Sequence, residues 1–96
     1  MNTVPIAYLT LELRIEAAHS LKDKRQVLRS LKDRLRARFN VAVAELDHND
    51  TWQRAQVGVV TLSNNAAHVE QSLQAVFDEA ENLLGRDLVD HNLEVL

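Results

Sequence analysis

Ninety-six residues with a formal net charge of −3, no cysteine, two glycines and one proline fit one compact domain, taken as residues 1–96. The lack of cysteine excludes disulfides, thiolate metal sites and thiol nucleophiles, and no apolar run approaches the roughly 18 residues of a membrane span. Aromatic residues make up 4% of the chain, too few for a protein that stacks bases or sugars on aromatic platforms.

The first periodic segment is Ile6–Ile15. Leu9, Leu11, Leu13 and Ile15 alternate with Tyr8, Thr10, Glu12 and Arg14, the period of a half-buried strand. Pro5 stands just before it, where no ladder N–H is required. Met1–Tyr8 carries no basic run ahead of an apolar one, so no targeting leader is expected and the cytoplasm is the expected location. Ser20 then opens a helix: its hydroxyl can accept a first-turn N–H, and Asp23 acts as a short capping acid. Leu21, Leu28, Leu31, Leu35 and Phe39 carry that helix to about Arg38, with Asn40 as the exit.

Val41–Leu46 reads as a second strand, and Asp47-His48-Asn49-Asp50 as a turn whose short polar side chains bond their own backbone. Trp52–Leu62 is a third strand, with Trp52 expected to plug the core at the sheet end and Arg54 to pair with Glu45 or Asp47. Ser63-Asn64-Asn65 offers caps for a second helix, whose apolar face runs through Ala66, Val69, Leu73, Val76, Phe77, Ala80 and Leu84 to a stop at Gly85. Leu88–Leu96 closes the chain as a fourth strand. The order is βαββαβ. Right-handed crossovers then place both helices on one face of a four-stranded antiparallel sheet, an α+β, ferredoxin-like sandwich.

Charge is distributed unevenly. Eight of the eleven cations (Lys22, Lys24, Arg25, Arg29, Lys32, Arg34, Arg36 and Arg38) lie in the first helix, whereas residues 66–96 hold seven acids against Arg86 alone. At 100° per residue Lys22, Arg25, Arg29, Lys32 and Arg36 share an arc of about 80°, a cationic line about 21 Å long. Like charges at these spacings repel, and the helix dipole disfavours Lys22, Lys24 and Arg25 in the first turn. A bound polyanion relieves both costs, with one phosphate on the N–H groups beyond Ser20. The candidate RNA- or phosphate-binding set is therefore Ser20, Lys22, Lys24, Arg25, Arg29, Lys32 and Arg36.

Other chemistries fit less well. An RNA-recognition motif shares the topology but needs sheet aromatics, and only Tyr8 is available. Acylphosphatases and ACT domains use a glycine ahead of the first helix, where this chain has Glu16-Ala17-Ala18-His19-Ser20. His19, Glu45, Asp47, His48 and Asp50 match no helix-borne zinc motif or calcium loop, so no metal or other cofactor is expected. An enzyme would need His19, Asp47 and His48 in one pocket. His68 and His91 stand alone on separate elements and read as structural or solvent-facing. No catalytic arrangement emerges from spacing, and the chain is read as a non-enzyme.

Several runs together resemble the YlxP-like family of small bacterial proteins of uncharacterised function. They are His19-Ser20-Leu21-Lys22-Asp23-Lys24-Arg25, Val27, Ser30-Leu31-Lys32, Phe39-Asn40-Val41, Ala44-Glu45, Asp47, Asp50 and Trp52-Gln53-Arg54. The resemblance covers essentially the whole chain and implies a ferredoxin-like fold. Genes of that family commonly lie beside those for translation initiation factor two and ribosome-binding factor A, which implies a place near the ribosome. The expectation is a non-enzymatic accessory protein of translation or ribosome assembly that meets ribosomal RNA or the small ribosomal subunit through its basic helix. The alternative is a homodimer, built through the uncovered sheet face or the edge strands, that binds no RNA. No membrane partner is expected.

Overall fold

The computed structural model describes residues 4–48 and 50–96, so residues 1–3 of the segment read for a leader and Asn49 of the turn cluster lie outside it. The elements are β1 (Ile6–Arg14), α1 (Leu21–Arg38), β2 (Ala42–Asp47), β3 (Arg54–Leu62), α2 (Ala66–Leu84) and β4 (Leu88–Val95), with a 3-10 turn at Gly85–Asp87. All strand pairs are antiparallel in the order β2-β3-β1-β4, so β2 and β4 are the edges. This is the ferredoxin-like sandwich that the periodicities imply. Among the described residues, no helix is long and apolar enough to cross a membrane.

The core follows from alternation. Ala7, Leu9, Leu11 and Leu13 of β1 and Ala55, Val57 and Val59 of β3 point toward the helices, where Leu28, Leu31 and Leu35 of α1 and Val69, Leu73 and Val76 of α2 meet them. Both helices start on side-chain caps. Ser20 Oγ accepts the Asp23 N–H at 3.0 Å while Asp23 Oδ2 accepts the His19 N–H at 2.9 Å, a reciprocal cap one residue earlier than the usual box. Asn65 caps α2 by accepting the His68 N–H.

Two details shape the uncovered face of the sheet. An extra residue enters β2 between Glu45 and Asp47, and the Leu46 side chain lies across Gly58. A Cβ at Gly58 would stand 2.8 Å from Leu46 Cδ1, so glycine makes room for that leucine. The face is graded along the strands. Leu62, Val60, Tyr8 and Ala42 lie at one end, and Gln56, Glu12, Asp90 and Arg54 at the other.

The tryptophan expectation fails. Trp52 is 51% exposed and precedes β3, which begins at Arg54. The sheet end it was expected to fill is closed by main-chain bonds instead: the Ile15 N–H donates to the Gln53 carbonyl at 2.8 Å.

Gly85 ends α2 with φ 57° and ψ −128°, a conformation that side-chain-bearing residues rarely adopt, and no neighbour stands within 4 Å of its virtual Cβ. Gly85→Ala therefore adds backbone strain without a clash. It should cost about 1–3 kcal/mol in urea unfolding, with an unchanged m-value.

Candidate nucleic-acid interface

Helix α1 packs beside β2, and its cations divide into those that bond the protein and those that do not. Lys24 turns inward. Its side chain runs beneath the first turn, leaving the residue 1% exposed, and the ammonium donates to the carbonyls of His48 at 2.6 Å and Arg54 at 3.3 Å. Glu45 Oε2 lies 3.1 Å from the same nitrogen. That oxygen is buried and has no aligned hydrogen bond, so the carboxylate holds Lys24 by charge rather than by a directed bond. Lys24 is thus withdrawn from the candidate phosphate-binding set: its ammonium is buried and already solvated by protein oxygens. Ser20 is likewise engaged, its hydroxyl accepting the Asp23 N–H.

The same corner is tied in two further places. Gln53 Nε2 donates to the carbonyls of Glu16 and Ala18, both at 3.2 Å, fixing the β1–α1 connection. On the opposite side of the sheet, Glu12 Oε1 meets His48 Nε2 at 3.0 Å and Arg54 NH2 at 3.3 Å. Arg54 therefore pairs with Glu12, and the expected pairing with Glu45 or Asp47 is not formed: Glu45 points to the helix side, toward Lys24. His48 has φ 65°, an uncommon conformation for a non-glycine residue. It is held by its N–H on Asp47 Oδ1, its carbonyl on Lys24 and its ring on Glu12.

Later cations in α1 are used elsewhere. Arg34 and Arg38 reach Glu79 of α2 at 3.4 and 3.2 Å, joining the two helices. Arg36 donates to the Val43 carbonyl at 2.9 Å, covering an outward acceptor of edge strand β2. Among the described residues, Lys22, Arg25, Arg29 and Lys32 make no ion pair and no side-chain hydrogen bond. Arg25, Arg29, Lys32 and Arg36, with Leu28, Asp33 and Glu45, line a groove of about 360 Å³ between α1 and β2. The structure thus brings four cations of the sequence-derived set to one groove. Lys22, Ser20 and Lys24 do not line it.

A second depression, about 460 Å³, lies on the uncovered face and is lined by Thr10, Glu12, His48, Arg54, Gln56, Asp90, His91 and Asn92. Neither His19 nor Asp47 lines it, so this depression does not join the three residues that an enzyme reading required. Sequence reasoning missed the Glu12–His48–Arg54 cluster, because it depends on the β1–β3 register and on the turn that folds His48 back over β1. His91 sits over Phe77 of α2, ring centroids 4.1 Å apart, which gives this lone histidine a packing role.

A model of a family described as protein of unknown function (DUF503) matches residues 6–93. An uncharacterised protein of Bacillus subtilis (strain 168), YlxP, is 36% identical over 87 residues, which cover 84% of this chain and 95% of that one. Among solved structures, the de novo designed protein Foldit4 superposes with a TM-score of 0.64 at 11% identity, covering 98% of this chain and 97% of the design. The designed ferredoxin-fold protein LFR1 1 gives a TM-score of 0.53 at 6% identity over 98% of this chain and 84% of that one. These structural likenesses bear on the fold alone.

The Lys24 cluster predicts an asymmetry between neighbouring lysines. Lys24→Met strands the Arg54 carbonyl and a buried carboxylate oxygen, leaves the His48 carbonyl with the Thr51 N–H alone, and should cost about 2–4 kcal/mol in urea unfolding. Lys22→Met, on the exposed side of the same turn, should stay within about 0.5 kcal/mol.

Proposed function

The chain belongs to the DUF503 family, and we propose that it is a non-enzymatic, cytoplasmic accessory protein of translation or ribosome assembly that contacts the backbone of structured RNA through α1. One observation carries this reading: the helix engages Lys24, Arg34 and Arg38, and one N–H of Arg36, within the protein and leaves Arg25, Arg29 and Lys32 without ion pairs along one groove, where they outnumber the acids Asp33 and Glu45. A merely solvated basic face gains nothing from keeping its uncompensated cations in register, whereas phosphates spaced along a strand do. The groove offers no stacking aromatic, so contacts of this kind position the protein and carry little sequence preference. Arg36 contributes with the guanidinium N–H groups that its bond to Val43 leaves over. Lys22 adds long-range attraction at the end of the line.

The test is co-sedimentation with small ribosomal subunits at low salt. Combined Arg25→Glu, Arg29→Glu and Lys32→Glu should abolish it, while Arg34→Gln with Arg38→Gln, which touch only the inter-helix pairs, should leave it intact. With glutamine in place of glutamate, the slope of log affinity against log salt should flatten by about 0.9 for each phosphate that is no longer neutralised. Unchanged association of the folded triple variant overturns the reading.

A second reading, self-association without RNA, is favoured by exposed apolar residues of the uncovered face: Leu62, 64% exposed, and Val60, 38%, at its apolar end, and Leu46, 44%, over Gly58 at mid-sheet. It predicts a salt-resistant dimer in light scattering across a concentration series, reverted to monomer by Val60→Lys with Leu62→Lys. A strict monomer at all concentrations removes it.

A further inference from the structure

The two sheet edges are treated differently. At β2 the outward Val43 carbonyl is taken by Arg36 and the cationic side of α1 runs alongside. That edge is closed to another strand. Both edges carry one extra residue, Leu46 in β2 and Val89 in β4, and in β4 it lies ahead of the regularly paired stretch Asp90–Val95. At β4, the bond from the Leu96 N–H to the Ile6 carbonyl fixes which groups face β1. With Ala7 opposite Val95 and Leu9 opposite Leu93, the main chains of Asn92 and Glu94 turn inward and those of His91, Leu93 and Val95 turn outward. Asp90 Oδ1 occupies the His91 N–H at 2.8 Å. Among the described residues, no side chain covers the outward groups of Leu93 and Val95.

The chemistry around that edge is acidic on both sides. Asp90 and Glu94 stand on the uncovered face of the sheet, and Asp90 is directly opposite Glu12, a like-charge pair across the strands. On the other side, the Phe77–His91 contact places α2 over β4. Glu70 and Glu81 lie two turns before and one turn after Phe77 on that stripe, and both are exposed. Exposed Val95 and the rim of His91 supply an apolar strip between the two sets of acids. No lysine, arginine or proline occurs in β4 itself, the residues that usually discourage strand addition.

We propose that the β4 edge receives an extended segment of another protein, with alternating basic and apolar residues, as a fifth antiparallel strand. Its N–H and C=O groups pair with those of Leu93 and Val95. Its basic side chains lie along Asp90 and Glu94, and its apolar ones cover Val95 and the His91–Phe77 stack. A second copy of this chain fits less well, because its β4 brings the same carboxylates to the seam, and a two-fold centred on Asn92 sets Asp90 against Glu94. This inference does not depend on RNA binding at α1, which lies at the opposite flank of the sheet.

The test uses a fluorescein-labelled peptide of alternating lysine and valine, titrated into the full chain by anisotropy, with backbone amide NMR on the complex. The expected result is saturable binding, with amide shifts and slowed hydrogen exchange centred on Leu93 and Val95. A control peptide with proline in place of valine keeps the charge but cannot pair as a strand, and should bind at least about tenfold more weakly. Val95→Pro removes an outward donor without touching the bonds to β1. It should weaken the lysine–valine peptide by at least about tenfold, while the α1 triple variant binds it normally. Three outcomes overturn the proposal: equal binding of both peptides, no binding of either, or a β4-mediated dimer of the free protein.

Discussion

The Lys24 ammonium holds the first turn of α1 to the end of the β2–β3 hairpin, and the surrounding structure is arranged to keep it there. Withdrawing an ammonium from water costs several kcal/mol unless protein oxygens replace the lost hydration. Here the His48 and Arg54 carbonyls and the Glu45 carboxylate do so. The hairpin must present two carbonyls to one point, which accounts for the positive φ of His48 and the clamp of Glu12 on its ring. Gln53 ties the preceding loop to the same corner. Removing the lysine would leave the Arg54 carbonyl and the buried Glu45 oxygen without partners at once, while the His48 carbonyl keeps the Thr51 N–H.

That arrangement changes the meaning of the basic helix. A cation in the first turn of a helix opposes the macrodipole, yet Lys24 is tolerated because it leaves the helix surface for a cage of acceptors. Arg34 and Arg38 bridge to α2 and Arg36 seals an edge strand. The eight cations of α1 therefore do at least three different jobs. Among the described residues Lys22, Arg25, Arg29 and Lys32 remain without ion pairs, the last three beside a groove. The molecule is polarised, with this basic flank on the β2 side and most of its exposed acids on α2 and β4.

Much of the fold was legible locally. Alternation in β1, the leucine spacing of α1, the Ser20 and Asn65 caps and the Gly85 stop are properties of neighbouring residues, and each reappears in the structure. The site was legible only in part. Helical spacing aligned Arg25, Arg29, Lys32 and Arg36 correctly, but it grouped Lys24 with the surface cations. A long aliphatic stem can carry a charge in either direction from a position between two faces. Trp52 failed for a different reason: hydrophobicity favours burial, but Trp52 lies in the connection ahead of β3, outside the paired sheet.

By itself, then, the sequence determined the elements, their order, the ferredoxin-like topology and the concentration of positive charge on α1, since period, caps and charge are written within a few residues of one another. Tertiary structure decided which cations are used internally, that Glu45 serves Lys24 while Glu12 serves Arg54, and that one sheet edge is sealed while the other is open. Those outcomes depend on strand register and on residues far apart in the chain, such as Lys24 and Arg54, and no local pattern encodes a meeting across that distance.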